Sequence, residues 1–159
     1  WQAYACGRTP NPCVICNPAL KFGVLQEVAR KRGAAALATG HHVRSRINVA
    51  TGAVELLRGV EPQKDQSYFL YALSQRQLKF SLFPVGGLRK AQVRAIARRK
   101  GLSCAARTDS QDVCFAVSGD SFPELLRKRF GQPVRAGTIV DTEGNLLGRH
   151  TGVHRYTIG

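Results

Sequence analysis

Apolar positions recur at helical spacing early in the chain. Asn17 and Pro18 pair an N-cap side chain with a first-turn proline, Leu20, Val24, Leu25 and Val28 follow on one face, and Gly33 supplies a stop. This predicts a helix over residues 17–32. Residues 34–39 form a short apolar run suited to a buried strand, closed by Gly40-His41-His42. Helix, strand and glycine turn in that order make half of a βα repeat in a parallel sheet. Thr51-Gly52 separates residues 43–50 from 53–58 and predicts a hairpin.

The pattern continues as helices over residues 67–78 and 90–100, the second basic, amphipathic and stopped by Gly101. Residues 113–117 read as a strand. Ser121-x-x-Glu124 is a capping box that opens a helix running to Phe130. From Pro133 the character changes: glycines become frequent, residues 138–140 alternate, and Glu143-Gly144-Asn145 forms a turn. A separate β-rich module is expected there. The chain contains neither internal repeats nor low-complexity tracts.

Composition narrows the function classes. Hydrophobic residues make up 43% of 159, enough for a core, and no run of about 18 apolar residues suggests a membrane span. The chain starts at Trp1 and holds no methionine, so we expect an internal piece of a longer protein, and no signal peptide can be read from it. Lysine and arginine number 24 against 10 acids, a net charge of +14 that attracts polyanions, nucleic acid first among them. Part of that charge has a plainer role. Arg30-Lys31-Arg32, Arg98-Arg99-Lys100 and Arg127-Lys128-Arg129 each end an expected helix, where cations offset the dipole.

Five unevenly spread cysteines suit reactive chemistry in a reducing compartment better than a disulfide scaffold. Cys16 would stand just outside the helix begun at Asn17, where unpaired N–H groups favour a thiolate, with Arg8 and Lys21 adding positive charge. Cys13 could pair with it as a redox CxxC or line the same pocket. A structural zinc site would need a second CxxC or a spaced histidine pair. The remaining candidates, Cys104 with Cys114 or adjacent His41 and His42, have the wrong spacing. Cys114 follows Asp109 and Asp112, which oppose a thiolate, so on spacing alone it reads as core, although it could carry a persulfide. Gly40 ends a strand where open α/β sheets bind ligands. Lys64-Asp65-Gln66-Ser67 could cap a helix or touch a polynucleotide. Tyr68, Phe69 and Phe115 could stack on bases, though core positions are the commoner fate of such aromatics. His150 and His154 read as solvated loop residues.

Together these segments resemble the bacterial-type tRNA 2-thiouridylases, which replace O2 of the wobble uridine with sulfur. The stretches that carry the resemblance are GRTPNPCVICN at 7–17, LKF at 20–22, ATGHH at 38–42, LLRGVEPQKDQSYFLYALS at 56–74, LFPVG at 82–86, DSQDVCF at 109–115 and GRHTGVHRYTIG at 148–159. The resemblance implies an α/β fold. Residues 1–117 would be the C-terminal part of a Rossmann-like ATP-pyrophosphatase (PP-loop) domain, and 118–159 the start of a small, β-rich, tRNA-binding central domain. That domain's SGGxDS phosphate loop occurs nowhere in these residues, so the chain alone is expected to be inactive.

By the same resemblance ATP, with Mg²⁺, adenylates the uracil oxygen. Cys114 carries the persulfide, and Cys16 is the nucleophile that releases its sulfur and forms a disulfide with Cys114. Such a bond needs Cα atoms about 5.5–6 Å apart. Gly40 matches an ATP-binding glycine, Asn11, Pro12 and Cys13 match the strip that touches the target base, and His41, Lys64, Asp65 and Gln66 match tRNA contacts. Some relatives have aspartate in place of Cys13, which argues against Cys13 as the essential thiol. The implied partners are tRNA and a persulfide-donor protein, in the cytoplasm, with no stable metal and no membrane. Zinc-binding or thiol-redox RNA-binding modules are the alternatives.

Overall fold

The computed structural model describes residues 2–106, 121–131 and 133–156, so the expected strand at 113–117 and Cys114, Phe115, Asp109 and Asp112 lie outside it. The chain forms two compact units, Pro12–Thr108 and the combination of Trp1–Asn11 with Asp109–Gly159.

The larger unit opens with an unbroken helical run over residues 12–31: α-helical at Pro12–Cys16, π-helical at Asn17–Val24 and α-helical again at Leu25–Lys31. The start expected at Asn17 is therefore corrected. Asn11-Pro12 carries the same Asn-Pro signature six residues earlier, and the helix begins there. The second proline, Pro18, has no N–H to donate, and its ring would crowd the carbonyl of Val14 in a regular α-helix. Widening to π geometry relieves the conflict. Gly23 completes it, because a Cβ there would stand 2.8 Å from the carbonyl oxygen of Pro18.

Strand β1 (Leu37–Ala38) is shorter than the apolar run that suggested it. The antiparallel hairpin is as expected, with β2 (Val43–Ile47) paired to β3 (Val54–Arg58) from Val43↔Arg58 to Ile47↔Val54. β1 pairs in parallel with β4 (Ser81–Leu82), which agrees with a βα-type arrangement. Residues 67–78 do not form one helix. A 3₁₀ turn at Ser67–Leu70 is followed by a separate helix at Gln75–Lys79, because Ser74 and Gln77 form a capping box that starts a new one. The basic helix is found at Lys90–Arg99.

Phe22, Val43, Val54, Leu70, Leu73 and Leu78 make the core, with Leu56 and Phe83 packed against it. Gln26 is fully buried among them and satisfied: its Nε2 donates to Ser81 Oγ (2.9 Å) and to the Gln77 carbonyl (3.0 Å).

In the smaller unit the helix Phe122–Phe130 starts after Ser121 as expected, but without the capping box. Glu124 turns instead to Arg127 (2.6 Å) and Arg155 (2.7 Å), with His154 at 3.5 Å. These charge-assisted bonds outcompete a neutral backbone N–H for the carboxylate and hold it well below the usual glutamate range. His154 is buried and His150 half-buried against Tyr156, so neither is the solvated loop residue expected. After Pro133, β5 (Gly137–Val140) and β6 (Leu146–His150) pair antiparallel across a turn at Gly144. Arginines and lysines fill the last turns of Leu25–Lys31, Lys90–Arg99 and Phe122–Phe130, as the dipole argument requires.

Candidate functional site

Within the larger unit three segments converge beside the helical run. Asn17, buried one residue after Cys16, donates from Nδ2 to the carbonyl of Phe69 at 3.2 Å and so ties the cysteine-bearing turn to Ser67–Leu70. Phe22, a turn and a half further on, packs its ring 5.7 Å from that of His41. Gln66 closes the third side: its Oε1 accepts the N–H of His42 (2.9 Å), and its own N–H donates to the His42 carbonyl (3.2 Å). The cysteine helix, the strap at residues 39–42 and the loop at 64–69 thus form one bonded assembly.

Cys13 and Cys16 are both half-buried, and Cys6, Cys13, Cys16 and Cys104 all carry thiols rather than disulfides. Cys16 has α-helical backbone angles (φ −63°, ψ −41°), one turn inside the run. This corrects the expected placement at a helix N-terminus. The helix N-terminus lies instead at Pro12. Cys13, Cys16, His41 and Gln66 are brought into the assembly. Asn11 belongs to the smaller unit.

His41 is buried, and its Nδ1 shares a 3.0 Å hydrogen bond with Thr39 Oγ1. Burial, and then the nearby Lys21 ammonium, lower its pKa to about 4, so the ring is neutral at pH 7. Asp65 directs its carboxylate inward: Oδ1 accepts the N–H of Gly59 (2.9 Å) and of Ser67 (3.2 Å), and Oδ2 accepts the Ser67 hydroxyl (2.7 Å). Burial raises its pKa, but the bonds from Ser67 and Gly59 and the charge of Arg58 outweigh that and lower it. Asp65 therefore shapes the loop. Gly59 can approach so closely only without a side chain, since a Cβ would stand 2.5 Å from the His42 carbonyl oxygen. Around Gly40, at the carboxyl end of β1, the space a Cβ would occupy is open.

Gln77 was not singled out from the sequence. Its Nε2 donates to the carbonyls of Pro18 (2.8 Å) and Phe22 (3.1 Å), two oxygens on the widened turn. The signal that could have revealed it is the S-x-x-Q spacing of Ser74 and Gln77. Among the described residues no three or more His, Cys, Asp or Glu side chains are grouped to hold a metal ion, and no helix is long and apolar enough to cross a membrane.

The family described as tRNA methyl transferase HUP domain matches residues 1–118. The chain is 46% identical over 156 residues to the tRNA-specific 2-thiouridylase MnmA of Geotalea uraniireducens (strain Rf4), covering 98% of this chain and 41% of that protein. It is 48% identical over 160 residues to the protein of the same name from Solibacter usitatus (strain Ellin6076), with 98% and 43% covered. For the one from Synechococcus sp. (strain JA-3-3Ab) the values are 50% over 157 residues, 98% and 42%. The chain spans about two fifths of the length of these curated relatives. With the α/β arrangement around its cysteine helix, the chain belongs to the tRNA-specific 2-thiouridylase family and carries that family's HUP domain in residues 1–118.

Proposed function

We propose that the protein containing this chain transfers persulfide sulfur to C2 of the wobble uridine of tRNA in an ATP-dependent reaction. Cys16 is the nucleophile and Cys114 the persulfide carrier; attack by the Cys16 thiolate on Cys114 frees the terminal sulfur and leaves a Cys16–Cys114 disulfide. Asn11, Pro12 and Cys13 face the target base, and His41, Lys64 and Gln66 the surrounding RNA, with Asp65 holding their loop in shape. ATP, with Mg²⁺, supplies the leaving group on the uracil oxygen. Gly40 leaves room for the nucleotide beside β1, and the phosphate loop lies outside these residues. Residues 1–117 serve as the later part of a PP-loop catalytic domain and 118–159 as the beginning of a tRNA-binding domain, working in the cytoplasm with a persulfide-donor protein.

The observation that carries this reading is the assembly itself. Asn17 to Phe69, Phe22 to His41 and Gln66 to His42 tie three of the segments that carry the resemblance to one another within the larger unit, which supports the reading. In the full-length protein, Cys16→Ser and Cys114→Ser should each abolish 2-thiouridine formation, read by mass spectrometry of tRNA nucleosides, while tRNA affinity stays within about 2-fold. Cys13→Asp should keep most of the activity. Normal thiolation in either serine variant would overturn the assignment.

A further inference from the structure

Immediately beyond the Ser67–Leu70 turn the larger unit contains a cleft of about 440 Å³, within the size range of small-ligand pockets. Its lining includes Leu56, Leu70 and Leu73, with Tyr68, Tyr71 and Arg58. Leu70 and Leu73 are buried and form an apolar floor, whereas Tyr68 and Tyr71 are 65% and 67% exposed. Two aromatic rings left in water beside a leucine floor are an unusual expense of apolar surface for a side chain that could pack inward. Tyrosine is favoured where one edge of a contact is apolar and the other wet. The sequence left Tyr68 between a core position and a base-stacking one; the structure places it on this rim.

The ring centroids of Tyr68 and Tyr71 lie 6.1 Å apart with planes inclined at 38°. A base sandwiched between two rings needs about 7 Å, two van der Waals spacings. A guest therefore stacks on the open side of the pair, over the leucine floor. Arg58, exposed at the edge of the cleft, makes no side-chain hydrogen bond among the described residues. Asp65, the acid in the lining among the described residues, accepts bonds from Gly59 and Ser67 and also lies within the field of Arg58, whose guanidinium is left without a hydrogen-bonded carboxylate. The rim therefore offers a cation to a guest, on a chain of net charge +14.

From this we infer that the Tyr68–Tyr71–Arg58 cleft holds one unstacked nucleotide of single-stranded RNA, its base on the tyrosine pair and its phosphate on Arg58. The inference rests on the RNA-modifying function proposed above and assigns that function a second base position. The link to the cysteine helix is short. Tyr68 and the Phe69 carbonyl that receives Asn17 are adjacent on one turn, so the cleft lies beside the cysteine turn and suits a neighbour of the modified base. Aromatic stacking is tolerant of base identity, so the cleft grips a splayed strand without choosing its sequence.

The test uses the full-length protein and a seven-nucleotide oligouridylate carrying a single 2-aminopurine, whose fluorescence reports stacking. Tyr68→Ala and Tyr71→Ala should each weaken binding about 5- to 150-fold and remove the fluorescence change. Tyr68→Phe and Tyr71→Phe, which keep the ring and lose only the hydroxyl, should bind within about 3-fold of the parent. Arg58→Gln should weaken binding and lower its salt dependence. Circular dichroism melts establish that each variant is folded, and the Phe pair tests the stacking even where an alanine variant is not. Parent-like binding by folded alanine variants would sink the cleft assignment, as would losses in the Phe variants equal to those in the Ala ones. If the alanine substitutions instead abolish a concentration-dependent self-association and leave RNA binding intact, the surface is a protein interface and the inference fails. Thiolation of tRNA by the parent is scored separately. Loss of oligonucleotide binding in a protein that does not thiolate would retain the cleft and remove the proposed reaction; thiolation with unaltered binding in the alanine variants would do the reverse.

Discussion

His41 is held in a position that favours the neutral ring. Its side chain is enclosed by Phe22 and bonded to Thr39, and charging it would place an imidazolium near Lys21 with most of its hydration lost. The sign of the pH effect follows. The folded pKa is depressed to about 4 from an ordinary 6.5, so the unfolded chain binds the proton more readily between those values. The stabilisation is complete above about pH 6.5 and is lost as pH falls toward 4. Urea midpoints should show a loss on the order of 1–3 kcal/mol from this group across that window. His41→Gln should flatten the dependence between pH 7 and 5, and an unchanged slope would show that another group is responsible. Below that window the lowered pKa values of Glu55, Asp65, Glu124 and Asp141 take over. A reading of residues in isolation found His41 as a polar position at a strand end. Its burial and neutrality come from Phe22 and Lys21, 19 and 20 positions away.

At the scale of elements, the widened turn is what distinguishes the cysteine helix from an ordinary one. Two Asn-Pro pairs, at 11–12 and 17–18, each signal a helix start, and local propensity cannot say which prevails. Tertiary bonds decide it. Asn17 is drawn to Phe69 rather than to its own helix, and Gln77 donates to the Pro18 and Phe22 carbonyls from another segment. Gly23→Ala should force the turn to shift away from the Pro18 carbonyl, costing about 1–3 kcal/mol by chemical denaturation. Gln77→Ala removes the capping box at Ser74 and two bonds to the turn, and should cost about 2 kcal/mol or more. Hydrogen exchange should localise the loosening to residues 18–25 in both variants, and uniform exchange across the unit would contradict the clamp. The hairpin, by contrast, was readable from Thr51-Gly52 alone, because its register depends on contacts a few residues apart. The capping box at Ser121 was misread for the opposite reason: Arg155, 31 positions from Glu124, takes the carboxylate.

Across the whole molecule the excess of positive charge is the property most directly tied to partner choice. Cations at helix ends consume part of it, but Arg44, Arg46 and Arg58 on the exposed hairpin do not serve a helix dipole. Phosphate neutralisation should make tRNA binding fall steeply with salt, with log K declining by about 3 or more per tenfold rise in salt if some five phosphates are held. A flat response in fluorescence titrations between 50 and 200 mM salt, roughly the range over which such contacts weaken, would remove the electrostatic argument.

Fold class, hairpin, basic helices and family membership were all legible in the order of the residues. Each depends on local periodicity, on turn chemistry, or on motifs long enough to be specific. The position of Cys16 inside its helix and the neutral state of His41 were decided only when distant segments packed. In each case a side chain had a local partner or preference, and a stronger hydrogen bond, a buried ring or a crowded carbonyl from elsewhere in the chain overruled it.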